Sequence, residues 1–226
     1  MITVDVVRVF CDPRGAYGNP LGLVRAADVV GREQEVAARL GFSETVVLDE
    51  EPSEPERVAR LRIFTPAREL PFAGHPTVGA AWWLDRRGTP AAALDVPAGR
   101  VEVQVVDDVV LVTARPEWSP DFEWLELGRP QDVDALDPSE FTVAQVYAWA
   151  WVDRDAGTVR SRMFAPGLGI TEDEATGSAA VALTGRLGRN LRIRQGRGSW
   201  LETRVLPDGA VQLGGRVVAG AGVSLG

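Results

Sequence analysis

One histidine occurs in 226 residues, and it stands in Pro71-Phe72-Ala73-Gly74-His75-Pro76-Thr77-Val78-Gly79, between a glycine and a proline. About a hundred residues later, Gly177-Ser178-Ala179-Ala180 sets a hydroxyl in a similar place, a glycine and a polar residue ahead of small helix formers. A glycine just before a helix lets the backbone approach a ligand closely. The first-turn amides of a helix are unpaired donors and its N-terminus carries partial positive charge, so each site would attract a carboxylate. If the two halves of the chain face each other, His75 and Ser178 become equivalent residues at two helix starts aimed at one cleft, where ligands commonly bind. The plainer alternative is that each residue only caps its helix.

Composition removes many other chemistries. All 24 basic residues are arginines, so no lysine is available for a Schiff base, a pyridoxal cofactor or a Walker loop. With one histidine and one cysteine, Cys11, neither a zinc site of the usual ligands nor a two-thiol racemase can be assembled. A magnesium site made of carboxylates alone has no motif behind it. Acid–base chemistry by carboxylates, one imidazole, hydroxyls and backbone amides remains. The net charge of −8 argues against a nucleic-acid partner. The lone cysteine excludes an internal disulfide and suits a reducing compartment. No apolar run approaches the roughly 18–20 residues of a membrane span, and the N-terminus has no basic-then-apolar signal segment, so a cytoplasmic protein without membrane contact is expected.

The elements that must position these residues can be read in outline. Alternation over 2–10 and 145–152, and β-branched or apolar runs at 45–48, 61–64, 94–96, 101–106, 109–114 and 159–164, predict strands, with a turn at Asp107-Asp108. Residues 33–40 read as a helix with Gly41 as its C-terminal cap. Residues 76–87 read as a helix whose apolar side holds Val78, Ala81, Trp82 and Leu84, and 179–187 as a small-residue helix. The stripe Tyr147/Trp149/Trp151 on the strand at 145–152 is read as sheet packing.

The halves also resemble each other. Arg62-Ile63-Phe64-Thr65-Pro66 matches Arg162-Met163-Phe164-Ala165-Pro166, and Gly74-His75 then aligns with Gly177-Ser178 after three inserted residues. This points to a duplicated unit, divided into residues 1–108 and 109–226, the terminal segment of the second being able to cross back.

Gly18-Asn19-Pro20, Ser43-Glu44-Thr45, FTPARELPFAGHPTVGAA at 64–81 and GITEDEATGSAA at 169–180 together resemble the PhzF family of phenazine-biosynthesis-type isomerases. The resemblance spans both halves in order. It implies an α+β fold related to diaminopimelate epimerase: two pseudo-symmetric domains, each a β-sheet or barrel around a central helix, with the active site between them. It also implies a homodimer without a cofactor, acting on a small carboxylic acid. Carried over residue by residue, the catalytic set is Glu44, His75, Asp173 and Ser178, with Asn19, Gly74, Thr176 and Gly177 around the substrate. Glu44 would be the proton shuttle, its carboxyl shielded from water so that its pKa rises into a useful range. His75 and Asp173 would hold and polarise the substrate, and Ser178 with the nearby amides would bind a carboxylate or an enolate-like oxygen. Asn19 also suits a loop-fixing role.

Two departures stand out. Glu174 replaces the family's usual proline and is expected to point to solvent. The second half is short between Trp118 and Gln145, which weakens any inference about substrate. The rival activity is an epimerase or racemase, which would need Glu44 paired with His75 or Asp173 on opposite faces. A further rival is a non-catalytic binding protein on the same fold.

Overall fold

The computed structural model describes residues 1–106, 109–142 and 145–226; the expected turn at Asp107-Asp108 lies outside them. The first half contains β1 (Ile2–Cys11), β2 (Asn19–Arg25), α1 (Ala26–Val29), α2 (Glu33–Leu40), β3 (Glu44–Glu50), β4 (Val58–Phe64), β5 (Glu69–Leu70), α3 (Gly74–Arg86), β6 (Ala93–Val96), β7 (Gly99–Val106) and, past the expected boundary at 108, β8 (Val109–Ala114), which pairs with β7. The second contains β9 (Glu123–Glu126), α4 (Pro130–Asp134), β10 (Val146–Asp153), β11 (Thr158–Ala165), β12 (Ile170–Asp173), α5 (Gly177–Leu187), β13 (Leu191–Gln195), β14 (Ser199–Val205), β15 (Val211–Ala219) and β16 (Val223–Leu225). Gly41 closes α2 in the left-handed region at φ +66° and donates its amide to Ala37, as its position in the sequence requires.

The duplication is visible in the strand register. Thr45 faces Phe64 between antiparallel β3 and β4, and Val146 faces Phe164 between antiparallel β10 and β11. Each pair is flanked by parallel neighbours: β2 and β6 in the first half, β9 and β13 in the second. Each half therefore repeats the same strand order around one helix. The two sets join through antiparallel β8 and β15, with Leu213 opposite Val112. Beyond Arg216, β15 crosses to β1 and places Ala219 opposite Val7. That crossing closes the ring β1-β2-β3-β4-β6-β7-β8-β15. Hydrogen bonding thus runs continuously between the halves while each keeps the internal pseudo-symmetry. Closure matters because it leaves no unpaired edge in the first barrel.

The helix at 74–86 differs from its expected one-sided pattern. Gly74 through Ala81, Trp83 and Leu84 are all buried, whereas Trp82 is half-buried and lies under the Arg86 guanidinium. A helix enclosed by a barrel has no solvent face, and small residues let the wall close on it. A side chain at Gly79 would strike Leu21 and Val9 of the wall. The helix also begins two residues before Pro76, whose missing amide falls in the first turn, where none is needed. In β10 both faces of the first residues are covered, because α4 lies over the outer side. Tyr147 and Trp149 are core residues, as the aromatic alternation predicts.

Candidate active site

Where the halves meet, α3 and α5 touch at their first residues. A Cβ built on Gly177 would lie 2.8 Å from Gly74 Cα, and one on Gly74 would lie 2.7 Å from Gly177 Cα. The two glycines therefore serve a contact between helices. The side of each that was expected to admit a ligand is filled by the other. Among the described residues, no hydrogen bond engages the amides of Gly74, His75, Gly177 or Ser178. Two positive helix ends with free donors converge on one place.

A cavity of about 390 Å³ opens beside them. Its walls come from both halves and include Glu44, Phe72, Trp118, Met163, Asp173 and Ser178. Glu44 is the first residue of β3 and stands at the base of the cavity, its side chain 14% exposed. Its Oε2 has no hydrogen-bond partner and lies 3.3 Å from His75 Nδ1. Burial, then the negative charge of Asp173, pushes the Glu44 carboxyl well above the ordinary carboxylate range. His75 is 2% exposed and lies behind Glu44, outside the cavity wall. Burial lowers its pKa to about 3, and a backbone hydrogen bond at Pro20 offsets this only in part, so the imidazole is neutral. In the free protein the His75 ring contacts the carboxyl in front of it.

Asp173 ends β12 on the cavity wall. Asn19 Nδ2 donates to its Oδ1 at 2.6 Å and Thr176 Oγ1 to its Oδ2 at 2.6 Å. Burial raises the pKa of Asp173, and these two hydrogen bonds oppose the rise. Asn19 also donates to the Ala175 carbonyl, and it does not line the cavity. Its geometry matches the loop-fixing role. Thr176 and Ser178 do line the cavity. Glu174 overturns its expected exposure: its side chain is 12% exposed and accepts from Ser199 Oγ, the Arg197 amide and Arg197 Nε. Ser199 Oγ in turn accepts from the Gly18 amide. The extra carboxylate fastens the β13–β14 turn to the residue before Asn19, and it also contributes to the raised pKa of Asp173.

Residues 7–140 and 117–204 match the phenazine biosynthesis-like protein family, PhzC-PhzF. The chain belongs to this family. An uncharacterised isomerase of Pasteurella multocida is 30% identical, covering 89% of this chain and 86% of that protein. The trans-2,3-dihydro-3-hydroxyanthranilate isomerase of Pseudomonas aeruginosa is 29% identical, covering 80% and 78%. A crystal structure of a PhzC/PhzF protein from Clostridium difficile superposes with a TM-score of 0.76 at 20% identity, all of each chain being covered. The fold is thus that of the family, and the chain is a PhzF-type isomerase. Among the described residues, no three His, Cys, Asp or Glu side chains are grouped so as to hold a metal ion, and no helix is long and apolar enough to cross a membrane.

Sequence reasoning missed part of this PhzF-type site. Trp118 and Phe122 enter the wall from the segment joining the halves, which Ser119 ties to the Ser178 carbonyl at 2.9 Å. Gln195, Tyr147 and Ser161 form a buried polar chain behind Asp173. One signal was available: in Leu191-Arg-Ile-Arg-Gln195, alternation puts the glutamine on the buried side with Leu191 and Ile193.

The buried carboxyl has a consequence for stability. Because its folded pKa lies above the unfolded value of 4.5, the stability it contributes is fully present below that pH and is lost as pH rises through the folded value. His75 acts in the opposite direction, its contribution present above 6.5 and lost as pH falls towards about 3. Glu44→Gln should therefore gain melting temperature relative to the parent between pH 5 and pH 9. An equal difference at both pH values, measured by thermal denaturation, would contradict the buried carboxyl.

Proposed function

We propose that this protein moves a proton between two carbons of a small unsaturated carboxylic acid, with migration of a double bond and without a cofactor, using Glu44 as the shuttle. The observation that carries this reading is the buried Glu44 carboxyl, its Oε2 without a hydrogen-bond partner, on the wall of a cavity beside two helix N-termini. The substrate carboxylate is held by the Ser178 hydroxyl and amide, in the positive field of the two helix N-termini that begin at Gly74 and Gly177. Phe72, Trp118, Phe122 and Met163 supply apolar walls for its carbon frame. Glu44, as carboxylate, takes a proton from one carbon, and the electron pair shifts the double bond. The resulting acid returns the proton to the second carbon, so the base is regenerated and the reaction is balanced. His75, held neutral, contacts the same carboxyl and adds no second charge.

The pseudo-symmetry favours this reading over a two-base epimerase. Because Thr45 and Val146 occupy matching register positions, the counterpart of Glu44 is Gln145, which also lines the cavity and cannot carry a proton. Likewise Leu70 faces Ile63 where Asp173 faces Met163. The two carboxyls thus stand at non-equivalent positions of the repeat.

The relative from Pseudomonas aeruginosa supplies the first compound to assay, trans-2,3-dihydro-3-hydroxyanthranilate. Turnover in D₂O is expected to shift the double bond and retain much of the original hydrogen, because a shielded single base exchanges slowly with water. Full deuterium incorporation with inversion at one carbon and no migration would establish an epimerase instead.

A further inference from the structure

Behind the cavity wall, a chain of buried polar groups runs from Asp173 into the second half: Thr176, Gln195, Tyr147 and Ser161, each at most 9% exposed. Gln195 Nε2 lies 3.0 Å from the Asp173 carbonyl and 2.8 Å from Thr176 Oγ1. Gln195 Oε1 lies 3.2 Å from the Tyr147 hydroxyl, which is 2.9 Å from Ser161 Oγ. Backbone carbonyls fix the orientation of the two side-chain amides. A backbone carbonyl only accepts, so the Gln195 nitrogen must face it, and the same nitrogen donates to Thr176. The Thr176 hydroxyl, which accepts from Gln195, sends its own proton to Asp173 Oδ2. On the other side, the Ala175 carbonyl orients the Asn19 amide so that its nitrogen donates to Asp173 Oδ1. Asn19 Oδ1 is left to accept from Ser43, the residue before Glu44. Both oxygens of Asp173 thus receive a donor, an arrangement that suits a carboxylate. Glu44 Oε2, by contrast, has no partner.

We propose that Gln195 is a positioning residue that, through Thr176, fixes Asp173 as an acceptor-only anion, so that the proton which comes and goes in this site is carried by Glu44 alone. The inference deepens the shuttle mechanism proposed above and rests on it for its catalytic meaning. The ionisation pattern itself belongs to the free protein. Other charges face Asp173: Glu44 from β3, the Tyr147 phenol from β10, Glu172 paired with Arg162, and Glu174 paired with Arg197. None of these donates a hydrogen bond to its carboxyl; burial raises its pKa, and the donors on Thr176 and Asn19 are what oppose that rise.

The test uses the complete protein with ¹³C-labelled carboxyls, titrated by NMR without substrate. In the parent, Asp173 is expected to ionise below Glu44. In Gln195→Met, which keeps the volume and removes the donors, the Asp173 midpoint should rise by about one pH unit, the scale of a weakened hydrogen bond to a charged group. The Glu44 midpoint should fall as the neighbouring anion weakens. Thr176→Val should reproduce the change and Thr176→Ser should restore the parent titration, so the result stands even where Gln195→Met folds poorly. An Asp173 midpoint unchanged in both Gln195→Met and Thr176→Val overturns the proposal, as does a parent in which Glu44 ionises first. Failure of the shuttle itself is read separately, as unimpaired turnover in Glu44→Gln, and would leave these titrations as they are.

Discussion

Glu44→Gln is expected to lower turnover by ~10²–10⁴-fold, the range typical of a lost general acid–base group, with little change in ligand affinity. Glutamine keeps the volume and polarity of the side chain at the base of the cavity, and it cannot accept and return a proton. The carboxylate-binding donors sit elsewhere, at the starts of α3 and α5, so the variant should still bind a small carboxylic acid in calorimetry. Ser178→Ala should behave differently, because its hydroxyl belongs to those donors; affinity should fall together with rate. Thermal denaturation guards against a trivial cause, since the glutamine variant is expected to be at least as stable as the parent above neutral pH. Near-normal turnover in Glu44→Gln would transfer the proton chemistry to Asp173, the other carboxyl on the cavity wall.

A single methyl group at the helix junction should damage the fold itself. In Gly177→Ala the new Cβ would stand 2.8 Å from Gly74 Cα and 2.9 Å from both Gly74 C and His75 N. These are backbone atoms and cannot rotate aside, so α3 and α5 must separate. Forcing an extra carbon into a packed core costs about 1–3 kcal/mol, which in a chain of this length lowers the melting temperature by several degrees. Turnover should fall as well, because the separation moves the converging amides and displaces His75 relative to Glu44. Gly128→Ala provides the control, since nothing lies within 4 Å of a Cβ there. A Gly177→Ala protein that melts with the parent would show that the helix starts are not in contact.

The sequence by itself determined the local elements and the identity of the chemical groups. A continuous β-branched apolar run determined the strand at 45–48, β-branched alternation the strand at 109–114, and Gly41 determined where a helix stops. The Arg-x-Phe-x-Pro repeat determined that the halves correspond, and composition determined that carboxylates, one imidazole and amides would do the chemistry. These features depend on residues near one another in the chain. What depends on contacts across about a hundred residues was decided by tertiary structure. The all-round burial of α3 follows from barrel closure by β15, which no local period records. The meeting of Gly74 with Gly177 turns two presumed ligand-facing glycines into a packing contact. His75, which reads as a direct ligand contact, lies behind Glu44 because the helix that carries it is enclosed. Glu174 reads as solvent-exposed because a carboxylate usually is, yet the β13–β14 turn brings Arg197 and Ser199 to it. Gln195 carries no motif; its role exists only because β13 lies beside β11 and below the Asp173 loop, where a buried amide must satisfy every polar neighbour it meets.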